Sequence, residues 1–116
     1  ILQDVWIWSL PESDQQQGYL AAKEALMCHP RPNVLLCMSD QIALGALKAC
    51  KELGFAIPRQ VRITGFDNIP EAKTYGITTM HQPQKTKGMM AAEILLNQKP
   101  EKSLLLNSEL VIRSSC

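Results

Sequence analysis

Apolar and polar side chains recur along the chain with two different periods. Residues Val61–Phe66 alternate as a strand does, whereas Gln41–Leu53 carries an apolar stripe at helical spacing. The predicted strands are Val5–Trp8, Asn33–Met38, Val61–Phe66, Ile77–Met80, Leu104–Leu106 and Glu109–Arg113. The predicted helices are Gly18–Met27, Gln41–Leu53, Pro70–Thr74 and Gln84–Gln98, the last stopped by Pro100. Strands that alternate with helices through short connections predict an α/β fold with a mostly parallel sheet flanked by helices.

Polar residues and glycine mark where these elements begin and end. Ser13, followed three residues later by Gln16, forms a plausible capping box for the first helix. Asp40 is expected to cap the helix Gln41–Leu53 through its side-chain oxygen, and Gly54 to end it in the left-handed conformation. The continuous apolar run Asn33–Met38 predicts a strand covered on both faces.

The helix Gln41–Leu53 is apolar over a wider arc than one contact with a sheet requires. Its stripe of Ile42, Ala46, Ala49 and Leu53 is widened by Ala43, Leu44, Leu47 and Cys50. Two interpretations remain open. The surplus is either a surface for a partner or the seat of a second helix of the same chain.

The strand Val61–Phe66 runs directly into a carboxylate, Asp67. In an open α/β sheet, ligands bind in the crevice beyond the carboxyl ends of the strands, so Asp67 could reach a polar ligand there. The competing interpretation is that Asp67 only caps the next helical turn.

The chain has 116 residues and a formal charge of +1, with 46% apolar and 20% charged residues. This composition is typical of one small globular domain or a piece of a larger one. The lysines are scattered, so the chain alone is not expected to bind DNA. No apolar run approaches the roughly 20 residues of a membrane span, and no signal peptide precedes the first strand. The first residue is Ile1 rather than methionine, which is consistent with a piece cut from a longer protein.

The four cysteines show neither the spacing of a zinc site nor a redox pair. No metal and no cofactor are therefore expected, and a reduced, cytoplasmic protein fits best. His29 and His81 belong to no visible nucleophile–base–carboxylate arrangement, and there is no glycine-rich nucleotide motif. We therefore do not expect an enzyme.

Several motifs, taken together and in order, resemble the LacI/GalR family of bacterial transcriptional regulators over roughly residues 18–116. They are Ser39-Asp-Gln-Ile-Ala-Leu-Gly-Ala-Leu47, Leu53-Gly-Phe-Ala-Ile-Pro58, Val61-Arg-Ile-Thr-Gly-Phe-Asp67, Thr78-Thr-Met-His-Gln-Pro83, Gly88 with Ala91-Ala92, and Glu109-Leu-Val-Ile-Arg-Ser-Ser115. The resemblance implies a periplasmic-binding-protein-like core of two lobes behind a helix-turn-helix DNA-binding domain. That DNA-binding domain and most of the first lobe are absent from this sequence.

The resemblance also implies a division of the chain. Residues 1–82 would form the second lobe, 83–102 a hinge crossing and a helix belonging to the missing first lobe, and 103–116 strands returning to the second lobe. Met89, Leu95 and Leu96 would then lack their natural cover, and self-association or a rearranged helix is expected.

Residue by residue, the resemblance implies that Asp67, Ser39 and Gln82 bind a small polar effector, a sugar or a nucleobase-like molecule. Trp8, or alternatively Trp6, could stack on the ligand. The family's effector-binding arginine would lie upstream of this sequence.

The resemblance further implies a homodimer whose interface includes Leu44, Lys48 and Tyr75. The segment from Asp67 to Thr78 is shorter than usual in the family, and Gly76-Ile77 stand where prolines are common. DNA would be bound only through the absent domain. The alternative class is an extracytoplasmic sugar-binding protein, and the segments Thr78–Pro83 and Glu109–Arg113 favour the regulator.

Overall fold

A computed structural model describes residues 6–96 and 105–116 of the chain. The elements run in the order α1 (Gln15–Met27), β1 (Val34–Leu36), α2 (Asp40–Glu52), β2 (Arg62–Asp67), α3 (Pro70–Thr74), β3 (Thr78–His81), α4 (Gln84–Leu96) and β4 (Glu109–Val111). The strands form one sheet in the order β1-β2-β3-β4, in which β1, β2 and β3 are parallel and β4 is antiparallel to β3. The predicted α/β architecture with a mostly parallel sheet is confirmed.

The core lies where α1, α2 and the sheet meet. The buried apolar side chains that form it include Leu26, Leu47, Val61, Ile63 and Ile77. α1 packs across α2 so closely that a Cβ on Gly45 would overlap the backbone of Gln15 in α1. Much of the wide apolar arc of α2 is thus covered by α1 and β2 of the same chain, which supports the second of the two interpretations.

Helix ends differ from the predictions in two places. Asp14, rather than Ser13, caps α1, and its side chain accepts a hydrogen bond from the Gln17 amide. Ser39, rather than Asp40, caps α2, and its hydroxyl accepts from the Ile42 amide at 3.3 Å. Asp40 is instead the first helical residue. Its carboxylate does not cap the helix, because it accepts hydrogen bonds from the Ile69 amide and the Thr79 hydroxyl.

The other end of α2 agrees with the prediction. Gly54 has φ +77°, its amide donates to the Lys51 carbonyl, and the Phe55 amide donates to the Cys50 carbonyl. This pair of bonds satisfies carbonyls that a helix end leaves open.

Three predicted strands are corrected. Residues 6–10 form no strand, and Ile7 projects into solvent, so the alternation there reflects no buried face; Val5 lies outside the described residues. β1 is covered on one face only, since Leu36 is 78% exposed at the edge of the sheet. Leu105 and Leu106 are not in a strand, and Leu104 lies outside the described residues.

α4 begins where predicted, and the residues predicted as its end, Asn97, Gln98 and Pro100, lie outside the described part of the chain. No residue of α4 is buried. Leu95 and Leu96 are 78% and 82% exposed.

Close to the last residue of the chain, Ser115 lies between β2 and β3 at their amino ends. Its amide donates to the Gly76 carbonyl and its carbonyl accepts from the Ile63 amide at 2.9 Å. Its hydroxyl accepts from the Thr78 amide and donates to the Ile63 carbonyl at 2.6 Å. Ser115 therefore links the amino ends of β2 and β3 by hydrogen bonds that the two strands do not make to each other there.

Candidate functional site

The carboxyl ends of three neighbouring parallel strands meet at one edge of the sheet. β1 ends at Leu36, β2 at Asp67 and β3 at His81, and Asp67 pairs in register with His81. Such an edge is where open α/β sheets bind ligands. Gln82 directly follows β3, and Ser39 lies three residues after the end of β1, so the residues predicted from the sequence lie at or just beyond this edge.

Asp67 and Gln82 are in direct contact. The Gln82 Nε2 donates to Asp67 Oδ1 at 3.1 Å, and Lys87 Nζ donates to Gln82 Oε1 at 3.0 Å. Both Asp67 and Gln82 remain partly exposed. Within the described residues, the second carboxylate oxygen of Asp67 has no hydrogen-bond partner, so it can accept a bond from a ligand.

Ser39 is held differently. Its hydroxyl caps α2, is hydrogen-bonded to the Ser13 hydroxyl at 2.8 Å, and is nearly buried. Within the described residues Ser39 makes no hydrogen bond to Asp67 or Gln82. These two bonds fill two of the three hydrogen-bonding positions of a hydroxyl, which leaves one for a ligand.

The turn after β2 has an unusual backbone. Asp67 and Asn68 both have positive φ, +110° and +60°. Residues other than glycine seldom adopt such angles unless surrounding contacts enforce them. The turn directs the Asp67 side chain, so the contacts that hold it matter for the site.

One such contact is an arginine that sequence reasoning missed. Arg113 Nη2 donates to Asn68 Oδ1 at 2.6 Å, and Nη1 donates to the Ile77 carbonyl at 2.7 Å. A guanidinium only donates hydrogen bonds, so the atom of the Asn68 side-chain amide that faces Arg113 must be the oxygen. Asn68 Nδ2 therefore donates to His81 Nδ1 at 3.2 Å, and the Nδ1 atom of His81 is the acceptor. Arg113 stands inside one of the quoted motifs and Asn68 directly follows another, but their spacing alone assigns them no role.

A second missed residue is Asp40, whose side chain is 0% exposed. Its Oδ1 accepts from the Thr79 hydroxyl at 2.6 Å and its Oδ2 accepts from the Ile69 amide at 2.9 Å. Within the described residues no lysine or arginine pairs with it.

Trp8 is half-buried and packs against Trp6, with ring centroids 5.7 Å apart and planes inclined at 44°. Trp6 is the more exposed of the two. No hydrogen bond links either ring to Asp67 or Gln82 in the part of the chain that the structure describes.

The three residues predicted at a dimer interface have different exposures. Leu44 is 6% exposed, whereas Lys48 and Tyr75 are exposed. The Lys51 ammonium lies 5.9 Å from the centroid of the Tyr75 ring. Beside them lies an open groove of about 320 Å³, lined by Leu47, Lys51, Phe55 and Tyr75 among others.

The half-buried Cys37 and the buried Cys50 hold their thiols in the protonated form near neutral pH. Burial raises the pKa of Cys37 to about 12 and that of Cys50 to about 11. Thiols with such pKa values are poor nucleophiles and poor metal ligands near neutral pH. Among residues 6–96 and 105–116, no cluster of three or more His, Cys, Asp or Glu side chains could hold a metal ion, and no helix has the length and apolarity to cross a membrane.

Over residues 3–116, nearly its whole length, the chain matches the periplasmic binding protein-like domain, and it belongs to that family. Within this family, the chain is similar to individual proteins that are named as transcriptional regulators. The chain is 43% identical over 99 residues to HTH-type transcriptional regulator Rv3575c of Mycobacterium tuberculosis, a match covering 81% of this chain and 27% of that protein. It thus spans about a quarter of that relative's length.

Two solved structures are similar in fold. One is a LacI family transcriptional regulator from Enterococcus faecium with bound ribose, with a TM-score of 0.74, 30% identity, and coverage of 88% of this chain and 40% of that chain. The other is the lac repressor dimer bound to operator and the anti-inducer ONPF, with a TM-score of 0.81, 26% identity, and coverage of 88% and 38%. The resemblance to the effector-binding domain of LacI/GalR-type regulators is confirmed.

Proposed function

We propose that this chain is the effector-binding and dimerisation part of a transcriptional regulator, and that it senses a small polar metabolite, a sugar. The observation that carries this proposal is the direct contact between the Gln82 amide and the Asp67 carboxylate at the carboxyl edge of three parallel strands. The ribose bound to the similar regulator from Enterococcus faecium supports a sugar as the ligand class.

The chemistry of the edge suits a polyhydroxylated ligand. A sugar hydroxyl can donate to the open oxygen of Asp67, while the Gln82 amide and the Ser39 hydroxyl offer both donors and acceptors. Trp8 would add an aromatic face for the sugar ring. A nucleobase has ring N–H groups that could also bind Asp67, so both ligand classes belong in the test.

The remaining parts of the chain follow from the same proposal. Residues 1–82 form the second lobe, 83–102 cross a hinge and pack as a helix on the first lobe, and 103–116 return to the second lobe. The exposure of Leu95 and Leu96 supports this division, because a helix of the first lobe needs that lobe to cover it.

The regulator would act as a homodimer. Lys48 and Tyr75 are exposed for contact with a second copy, Leu44 supports that surface from beneath, and the groove beside Tyr75 can accept apolar side chains. The dimeric lac repressor, which is similar in fold, supports this assembly. Ligand in the cleft would favour a closed arrangement of the lobes and so change DNA binding by the helix-turn-helix domains.

This function places the protein in the cytoplasm, without catalytic activity and with DNA contacts only through the helix-turn-helix domain. The alternative, an extracytoplasmic sugar-binding protein, has less support, because the similar proteins are named as transcriptional regulators.

The test replaces Asp67 with alanine in the regulator that includes the first lobe. Pentoses, hexoses and nucleobases are first screened by thermal shift, and the best ligand is then measured by calorimetry. We expect Asp67→Ala to weaken its binding about tenfold or more, since a hydrogen bond to a charged group contributes about 1.5–3 kcal/mol.

The matched control is Glu71→Ala, which removes an exposed carboxylate from the first helical turn of α3, four residues after Asp67. This variant should bind the ligand as tightly as the unmodified protein. Equal affinity of the Asp67→Ala variant and the unmodified protein would exclude Asp67 from the site.

A further inference from the structure

Asp40 is a buried carboxylate whose two oxygens are both occupied by groups around the candidate site. It stands at the start of α2, where the partial positive charge of the helix end favours an anion. Its surroundings are tight enough that a Cβ on Gly65 of β2 would overlap Asp40 Oδ1. α2, β2 and β3 therefore meet at this one side chain.

The two backbone amides that follow Asp67 are both connected to Asp40 by hydrogen bonds, one directly and one through Thr79. The Ile69 amide donates to Asp40 Oδ2 directly, at 2.9 Å. The Asn68 amide donates to Thr79 Oγ1 at 3.3 Å, and the Thr79 hydroxyl donates in turn to Asp40 Oδ1 at 2.6 Å. This relay is directional, because a carboxylate only accepts and thereby makes the Thr79 oxygen available as an acceptor for Asn68.

These bonds hold the part of the backbone that sets the direction of the Asp67 side chain. Positive φ at two consecutive residues persists only where the surrounding contacts enforce it. Arg113 holds the Asn68 side chain, but the bonds to the main chain of residues 68 and 69 come from Thr79 and Asp40.

We propose that Asp40 is a positioning residue for the ligand-binding edge, which fixes the turn after Asp67 so that the Asp67 carboxylate meets the Gln82 amide. Asp40 itself does not touch the ligand. The same side chain joins the start of α2 to this edge. A displacement of α2 would therefore move the backbone of residues 68 and 69, next to Asp67, through the hydrogen bonds of Asp40 and Thr79. Only the link to ligand binding rests on the function proposed above; the positioning of the turn does not.

The test is made on the 116-residue chain without ligand, by NMR. Asp40→Asn keeps the shape of the side chain but leaves one oxygen to accept where the carboxylate offers two. We expect the Ile69 or Asn68 amide to exchange with solvent at least about tenfold faster, because one charge-assisted bond is lost. We also expect the Gln82 side-chain amide resonance to shift, because its partner Asp67 moves.

The control is Val61→Ala, which removes buried apolar volume from the residue just before β2, away from the turn. It should lower overall stability and leave the Gln82 resonance in place, which separates positioning from a general loss of stability. If Asp40→Asn folds and leaves the Ile69, Asn68 and Gln82 signals unchanged, the proposal is wrong.

A second pair of variants covers the case in which changes at Asp40 prevent folding. Thr79→Val removes the relay at nearly constant volume, and Thr79→Ser restores the hydroxyl. Faster exchange at Asn68 in the valine variant, with recovery in the serine variant, supports the proposal; equal exchange in the two overturns it. An Asp67→Ala variant that binds sugar as tightly as the unmodified protein would exclude Asp67 from the proposed site and would leave these NMR results unaffected.

Discussion

α2 and α4 are both 13 residues long, yet eight residues of α2 are buried and none of α4 is. Both helices carry apolar side chains, so composition does not account for the difference. α2 lies between α1 and β2, which cover it from two sides. The burial of a helix in this chain therefore depends on the elements that pack against it, and α4 is covered by none of the described residues.

The covered helix depends on a close backbone approach that the other does not need. At Gly45, α1 comes so near that a side chain has no space, whereas a Cβ on Gly88 of α4 would meet nothing within 4 Å. A pair of glycine substitutions therefore probes the comparison directly.

The largest effect is expected for Gly45→Val. The added side chain would collide with backbone atoms of Gln15 and Tyr19, which cannot move without separating α1 from α2. We expect a loss of more than about 3 kcal/mol in the free energy of unfolding, measured by urea denaturation with circular dichroism.

Gly88→Ala is the matched control for this substitution. Alanine stabilises a helix by up to about 1 kcal/mol relative to glycine, so this variant should be as stable as the unmodified chain or slightly more stable. Similar losses at the two glycines would contradict the difference drawn between the helices.

A smaller effect is expected when Leu95 and Leu96 are both replaced by lysine. In the 116-residue chain these side chains are exposed, so the free energy of unfolding should change by no more than about 0.5 kcal/mol. In a protein that includes the first lobe, the same pair should cost roughly 2–5 kcal/mol, because buried leucine packing would be lost.

Urea denaturation of both proteins, with and without the double substitution, measures this difference. Equal changes in the long and short proteins would mean that the first lobe does not cover α4.

The last effect depends on pH and concerns the thiols in the covered region. Burial raises the pKa of Cys37 from 9.0 to about 12, so this thiol stabilises the fold fully below pH 9 and loses that contribution as the pH rises toward 12. The loss should reach about 1.4 kcal/mol per pH unit in this window. Unfolding curves of the unmodified chain and Cys37→Ser between pH 8 and 11 measure it.

Alkylation gives an independent measurement of the same burial. At pH 8, iodoacetamide should modify the exposed Cys116 and a Met89→Cys residue on α4 quickly, and Cys37 and Cys50 slowly. Rapid labelling of Cys50 would show that α1 does not protect α2.

Much of the fold could be predicted from local patterns. α3 was placed at its observed bounds, and α2 and β3 to within a residue or two, because strong periodicity and turn residues mark them. The predicted capping role of Asp40 failed for a tertiary reason. Ser39 and Asp40 are both good caps by type, and only the positions of Thr79 and Ile69 decide which one turns inward.

The candidate site was predictable only in part. Asp67 could be placed at a ligand-binding edge because its predicted strand ends there, whereas Gln82 was assigned to the site only through the resemblance to LacI/GalR regulators. Arg113 could not be placed beside Asn68, 45 residues away, because that contact depends on how the antiparallel β4 and the residues after it align with β3.

The place of Ser115 has a practical meaning for anyone who trims or extends this polypeptide. Cys116 is exposed and leaves room for a tag, but the residue before it completes the hydrogen bonding between Ile63 and Gly76. A version shortened by only two residues would leave main-chain groups of Ile63, Gly76 and Thr78 without these partners. The exposed Cys116 takes part in none of these hydrogen bonds, so a change at that residue should leave the sheet intact, whereas removal of Ser115 should weaken it.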